Sequence, residues 1–586
     1  MARRDPHSYA DDTQPQTESF VWKARVDFAT QTLAAEVVLR FVEPGRGTID
    51  LDTRSLEIDA IEDANGRALA FTLHPPEPFL GARLEITIPE ATPHLSIRYA
   101  TSPDASALQW LAPAQTRGGV HPYLFSQCQA IHARSLIPLQ DTPRLRVRYT
   151  AELTFPRSLR AVMAAADRGR TETGEVAVHA FEMPQPIPPY LFAFAVGDLA
   201  SRDLSARCRV WAEPAVVEAA AWEFADVEKM IAAAEALFGP YDWERFDILT
   251  MPPSFPYGGM ENPRLTFLTP TVIAGDRSLV SVVAHELAHS WTGNLVTNAN
   301  AEHFWLNEGF TMYAERRITE ALEGADMAAL SAALGRRELD ESIVRFRDTP
   351  AMTKLRTHLE GIDPDECYSL IPYEKGYMFL TAIEAAVGRP AFAAWLRTYL
   401  DKFRFGAITT EDFIAHMEAG LPGALAKVDA AAWLDGEGLP ANAVAAPSSR
   451  LAAIEALGAT SPPADIKWSA TEWALYIEAY PRPAPAPALA ELDARFQLTD
   501  STNYDVLVPW LTLALKSGYL AVLPRVEGVV AEVGRMKYLR PLYTALAAEP
   551  TTRTRGEALF AQHRATYHPI ARQMVEGVQA RYRAAP

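Results

Sequence analysis

Apolar and polar residues alternate along the first third of the chain. Leu145, Val147, Tyr149, Ala151 and Leu153 interleave with Arg144, Arg146, Arg148, Thr150, Glu152 and Thr154, the period of a strand with one face in water. Phe20-Val21-Trp22, Ala34 to Val42, Leu84 to Ile88 and Leu95 to Tyr99 repeat it, with turns such as Asn65-Gly66 between them. The pattern predicts an all-β domain of antiparallel sheets over residues 1–199, preceded by a loose polar arm of residues 1–18. Near residue 200 the period lengthens. Val216 to Phe238 is alanine-rich with helical spacing and stops at Gly239-Pro240, and Arg245 to Met251 reads as a strand.

Leu279, Val280, Val282, Val283, Ala284, Leu287, Ala288 and Trp291 are apolar on nearly every side of a helix, which predicts one buried all round. Asp276 or Ser278 would cap its start and Gly293 would end it. Trp305 to Tyr313 is a second apolar helical run, and helices continue to about Leu434. Gly436 to Ser449 has the composition of a linker. Beyond Arg450, short amphipathic helices at Leu451–Leu457, Leu489–Phe496, Val506–Leu515, Leu520–Val533, Leu542–Ala548 and Thr554–His563 predict a helical-pair solenoid. The chain thus divides into residues 1–199 (β), 200–436 (mixed, carrying the buried helices), a linker at 437–449, and 450–586 (α).

Composition narrows the class. At 586 residues the chain exceeds a single core, and 48% hydrophobic with 22% charged residues is an ordinary globular balance. A net charge of −18, from 55 basic and 73 acidic residues with no long basic run, argues against a nucleic-acid partner. The most apolar stretch, Val506 to Leu523, is broken by Pro509 and Lys516, so no membrane span is expected. Cys128, Cys208 and Cys367 are far apart and odd in number, and Met1 to Pro6 leads into polar sequence without an apolar core. Both features predict reduced thiols in a cytoplasmic setting.

The candidate chemistry centres on His285-Glu286-Leu287-Ala288-His289. Histidines four apart leave one helix face a turn from each other, a spacing that lets both bind one Zn²⁺ at roughly 2.0–2.1 Å. Glu286 then lies beside the ion as a base. A pair of hydrogen-bonded core histidines would give the same five letters. Glu308 follows His289 after eighteen residues, on the second apolar run. As a third ligand it leaves the fourth position open, which marks a catalytic zinc. Glu315, two turns beyond Glu308 on the same face, would hold a ligand histidine or pair with Arg316 or Arg317.

Four further stretches have polar residues in unusual places. Gln127 and Gln129 interrupt the apolar run Tyr123 to Ala130, and buried amides need partners. Pro256-Tyr257-Gly258-Gly259-Met260-Glu261 sets two glycines before a carboxylate, either a simple turn or a place where an extended peptide pairs with backbone. Tyr368 and Tyr373 lie on a proline-interrupted loop, packing a helix start or bringing a phenol to the reaction. Arg535 and Lys537 sit at a helix junction, where they converge on a carboxylate or remain solvated.

Together these pieces resemble the gluzincin zinc aminopeptidases. Gly258-Gly259-Met260-Glu261-Asn262, His285 to His289 and Glu308 carry the resemblance. Trp291 to Thr297, Phe304 to Gly309, Tyr123 to Ala130, Pro372 to Gly376 and Gly534 to Lys537 are closest to the leukotriene A(4) hydrolase branch. The resemblance implies a multidomain α+β fold: a saddle-like β domain, a thermolysin-like zinc domain and a helical domain, with the site in the cleft between them. It implies one Zn²⁺ on His285, His289 and Glu308, with Glu286 as general base and Tyr373 stabilising the oxyanion. Glu261 and Gln129 would hold the substrate's free α-amino group with Gln127 nearby, Pro256 to Met260 would line its backbone, and Arg535 and Lys537 would grip its carboxylate. The expected partner is a short peptide such as a di- or tripeptide, met by a monomer. One branch member also opens a lipid epoxide, for which Asp365 and Tyr368 match the relevant positions; Cys367 stands where a smaller residue is expected, and peptide hydrolysis is the activity expected here.

Overall fold

The computed structural model describes residues 5–279, 281–367, 369–443 and 448–583. The first domain is built on an eight-stranded sheet in the order Ala166–Thr173, Val176–Ile187, Val147–Pro156, Thr17–Asp27, Thr32–Thr53, Ala82–Ala100, Glu57–Asp63, with Phe71–Leu73 also on Ala82–Ala100. A four-stranded sheet (Leu108–Leu111, Tyr123–Ser126, Phe194–Gly197, Arg160–Met163) closes the core, where Trp22 packs edge-on to Phe192 at 5.2 Å. The sheet is not purely antiparallel. Thr17–Asp27 runs parallel to Val147–Pro156, Ser19 facing Arg148 and Arg25 facing Thr154. Alternation reports which face is wet and carries no strand direction; two strands so far apart in sequence have no hairpin to impose one.

The expected loose arm is instead fixed in place from Asp5 onward. Asp5, His7, Ser8 and Tyr9 are buried. Ser8 Oγ and the Tyr9 amide both donate to the Asp52 carboxylate, and His7 Nε2 meets the carbonyls of Leu359 and Ile362 at 3.1 and 2.9 Å. Asp52 also accepts from the Asp141 amide and lies 3.6 Å from Arg134, both charges fully buried. A polar segment anchored by distant buried charges has no apolar period to announce it. Asp52→Ala is expected to destabilise the protein by about 3–5 kcal/mol, because it strips a buried cation of one partner; a denaturant midpoint near wild type would contradict this.

A five-stranded sheet opens the second domain, in the order Ala200–Asp203, Arg209–Ala212, Asp247–Thr250, Leu265–Leu268, Gly259–Met260. Gly259–Met260 is its edge. The predicted helix Val216 to Phe238 is two helices, Val217–Glu223 and Val227–Phe238. The break follows Glu223, whose carboxylate takes the Gly275 and Arg277 amides. The helices Ser281–Ala288 and Trp305–Glu323 pack in the centre of a core that continues without interruption into the C-terminal helices. Those helices include Ala470–Ala479 and Pro569–Arg583, which are absent from the predicted set. In Pro569–Arg583, Ala571 and Val575 are buried with Met574 and Val578 packed beside them, a helical spacing that was passed over in the sequence. Val444 to Pro447 of the linker lie outside the described residues. Among the described residues no helix is long and apolar enough to cross a membrane.

Candidate active site

His285 and His289 leave the helix Ser281–Ala288 and its last turn on one face, with Nε2 atoms 3.2 Å apart. Glu308, in the first turn of Trp305–Glu323, places Oε2 3.5 Å from each. A tetrahedral ion with bonds near 2.0–2.1 Å spaces its ligands about 3.3–3.4 Å apart, the size of this triangle. Glu308 Oε2 is buried and has no hydrogen-bond partner among the described residues. A buried anionic oxygen requires a cation or a donor, and the donor set fits Zn²⁺ in chemistry and in dimension.

Outer hydrogen bonds orient the ligands. His285 Nδ1 meets Glu315 Oε2 at 3.0 Å, so the ring presents Nε2 inward, and Arg316 turns to a bidentate pair with Glu374 instead. His289 Nδ1 lies 3.1 Å from both the Thr292 carbonyl and Thr311 Oγ1. Gly293 ends this segment at a φ of 113°, and a Cβ there would come within 2.7 Å of His289 Nδ1 and 2.5 Å of Asn307 Oδ1. Sequence reading passed over Asn307, Thr311 and Thr292. The signal was available, since Asn307 and Thr311 are polar residues inside the second apolar helix.

Glu286 is 6% exposed. Burial pushes its carboxyl up to about 8, and the negative charges of Glu308 and Glu315 act in the same sense. Burial likewise raises Glu261 well above the ordinary carboxylate range, reinforced by Glu308 and Glu286. Acceptor atoms of Glu261, Glu286 and His289 lie within 4.8 Å of one another. Burial and mutual repulsion thus favour the protonated carboxyls unless a cation is present, so the pocket rewards cations, a metal ion at one point and an ammonium at another.

The edge strand explains the glycine pair. A Cβ at Gly259 would stand 2.2 Å from Glu286 Oε1, and one at Gly258 would stand 2.7 Å from an Arg535 guanidinium nitrogen. Only backbone fits between the Glu286 side chain and the strand. Gly259→Ala is expected to retain zinc while lowering kcat/KM by about 10²-fold through displacement of Glu286; unaltered kinetics would contradict that contact.

The remaining candidates fall around this centre. Gln129 Nε2 donates to Glu261 Oε1 at 3.4 Å, and Gln127 Oε1 accepts the Gln129 amide at 3.1 Å. Tyr373 lies in a π-helical turn, Ile371–Lys375. Its ring stacks on His285 at 6.1 Å, and its side chain is near enough to Glu308 to favour that carboxylate's charged form. Pro256 is a backbone contact, its carbonyl accepting the Met536 amide at 2.9 Å, and this brings the C-terminal helices to the cleft. Arg535 is buried, donating to Tyr538 at 3.0 Å. Lys537, 46% exposed at its side chain, pairs with Asp505 at 2.9 Å. A cavity open to solvent adjoins the site. Gln127, Gln129, Tyr257, Gly259, Met260 and Asp365 are among its lining residues. Asp365 there meets His132 Nε2 at 2.8 Å; Tyr368 lies outside the described residues.

Comparison with known proteins agrees along the whole chain. Residues 14–191 match the peptidase M1 N-terminal domain, 222–433 the peptidase family M1 domain, and 468–578 the leukotriene A4 hydrolase C-terminal domain. Leukotriene A-4 hydrolase of Xenopus laevis is 38% identical, covering 97% of this chain and 98% of its own length. Leucine aminopeptidase 2 of Neurospora crassa is 35% identical over 98% of this chain and 90% of its own. The structure of yeast LTA4 hydrolase in complex with bestatin superposes with a TM-score of 0.91 at 31% identity, covering 99% of this chain and 97% of that one.

Proposed function

Since this chain belongs to peptidase family M1, we propose that it is a zinc aminopeptidase of short peptides, with each residue at the site in the role its surroundings suit. The observation that carries this reading is a metal triangle next to an open strand edge whose far end is closed by a buried carboxylate, Glu261. His285, His289 and Glu308 would hold the ion, which when bound supplies Lewis acidity toward water and the scissile carbonyl. An extended peptide pairs with the free edge of Gly259–Met260. Its α-ammonium reaches Glu261 and Gln129, with Gln127 bracing Gln129, so one residue extends beyond the scissile bond. Glu286 accepts a proton from the attacking water and returns it to the leaving amine. Tyr373 donates its hydroxyl to the oxyanion, a type of contact worth about 3–4 kcal/mol.

Arg535 and Lys537 are assigned the peptide's terminal carboxylate, with Arg535 the dominant partner because it is buried and flanks Gly258. Arg535→Ala should then reduce kcat/KM for free tripeptides by about 10²-fold or more, the loss of a charge-assisted hydrogen bond, and spare the corresponding C-terminal amides. Equal losses on both would remove that role. The reaction itself is tested by a kinetic profile on free and N-acetylated tripeptides, with and without chelator. Cleavage of the free peptide alone, abolished by chelation and restored by zinc, supports the reading. Comparable cleavage of the acetylated peptide makes the enzyme an endopeptidase. The reading further takes the enzyme to be a cytoplasmic monomer.

The cavity favours one second reading. Ala130, Ile131, Met260, Phe304, Leu355 and Leu359 give it an apolar wall on which Asp365 is the acid. That arrangement suits a long-chain epoxide. Turnover of a fatty-acid epoxide that Asp365→Asn abolishes, with peptide hydrolysis retained, supports this addition; no turnover refutes it.

A further inference from the structure

Arg146 belongs by sequence to the β domain, immediately before the strand Val147–Pro156. The alternating pattern puts it on a wet face, but its guanidinium reaches past the edge of its own sheet to carbonyls of the second domain. One terminal nitrogen donates to the carbonyls of Pro186 and Asn294 at 3.2 and 2.8 Å. The other donates to those of Leu295 and Gly406 at 3.3 and 2.8 Å. No carboxylate pairs with it among the described residues. Burial draws its pKa down to about 10, so it remains a cation at neutral pH. Four carbonyl dipoles from three segments replace the missing anion.

One of those segments leads to the substrate. Asn294 follows the metal-binding turn, its amide donating to the His289 carbonyl at 2.9 Å. Its side chain donates from Nδ2 to the Glu261 carbonyl at 2.7 Å. Arg146 thus holds the main chain of the residue that holds the main chain of Glu261. Building on the aminopeptidase reading, we propose that Arg146 is a positioning residue for α-amino recognition: through Asn294 it fixes the backbone of Glu261 and aims that carboxylate at the substrate's ammonium. The β domain then participates in choosing substrates from outside the cleft.

The test uses the full-length zinc-loaded enzyme and two inhibitors, leucine hydroxamate and the same hydroxamate without its amine, 4-methylpentanoyl hydroxamate. Both chelate, and only the first engages Glu261. In wild type the amine should improve Ki substantially. In Arg146→Met that advantage should shrink by about 10-fold or more, the scale of effect that a small misplacement produces, with zinc content and the Ki of the amine-free compound unchanged. Arg146→Lys, which keeps the charge and one donor, should retain part of the advantage. Asn294→Ala should reproduce the loss, and the double variant should be no worse than either single one, because the two residues act in series.

A parallel rise of both Ki values, an unchanged amine advantage, or additive effects of Arg146 and Asn294 would overturn the proposal. If Arg146→Met does not fold, Arg146→Lys and Asn294→Ala decide it on the same ratio. An amine advantage near one in the wild type would instead refute the aminopeptidase reading itself, so the two failures are distinguishable.

Discussion

Glu286→Gln is expected to keep one zinc per chain and to lose turnover of unblocked tripeptides by about 10³-fold or more. Glutamine preserves the shape that fits against Gly259, where a single added carbon would already collide with the side chain. It removes only the ability to accept a proton. Substrate binding should change little, since the α-amine and the carboxylate are held by other groups, so the loss belongs in kcat. Metal analysis beside steady-state kinetics checks this. A variant with wild-type kcat would take Glu286 out of the chemistry, and one that has shed its zinc would make it a ligand.

The companion prediction separates ligand from base. Glu308→Ala should lose both zinc and turnover, because two histidines are left to hold an ion that the triangle is dimensioned for three groups to hold. Removing outer hydrogen-bond partners of such ligands typically costs 10–100-fold in affinity, and removing a ligand should exceed about 10²-fold. Dialysed protein should therefore carry well under one zinc per chain and show no hydrolysis at micromolar zinc. A fully metallated, active Glu308→Ala protein would contradict the three-ligand site. Tyr373 gives a finer comparison: it stacks on His285 and is outside the three-ligand triangle, so Tyr373→Phe should retain zinc while reducing kcat.

The metal helices were legible because their chemistry is local. A histidine pair four apart on an apolar helix, and one carboxylate on the next apolar helix, are each costly to bury without a shared partner, and the structure brings them into one triangle. The three-domain layout was legible for a similar reason, since period two and period 3.6 are visible over short windows. What stayed hidden depends on contacts between distant residues. Alternation gave Arg146 the same wet-face reading as Arg148, although one is clamped by a carbonyl of its own domain and three of the next. Asp5 to Tyr9 looked like loose polar chain because the groups that fix them, Asp52, Arg134 and Thr142, lie far along the sequence. The parallel pairing of Thr17–Asp27 with Val147–Pro156 carries no local mark at all. Neither does the steric need for Gly259, which appears only once Glu286 is seen against it.

The most direct test is a map of zinc anomalous scattering from crystals of the metallated protein. The account predicts one peak per chain, about 2.0–2.1 Å from Nε2 of His285, Nε2 of His289 and a carboxylate oxygen of Glu308, with Glu286 beside the ion and unbound. A peak elsewhere, or those three side chains pointing apart with no ion between them, would contradict it.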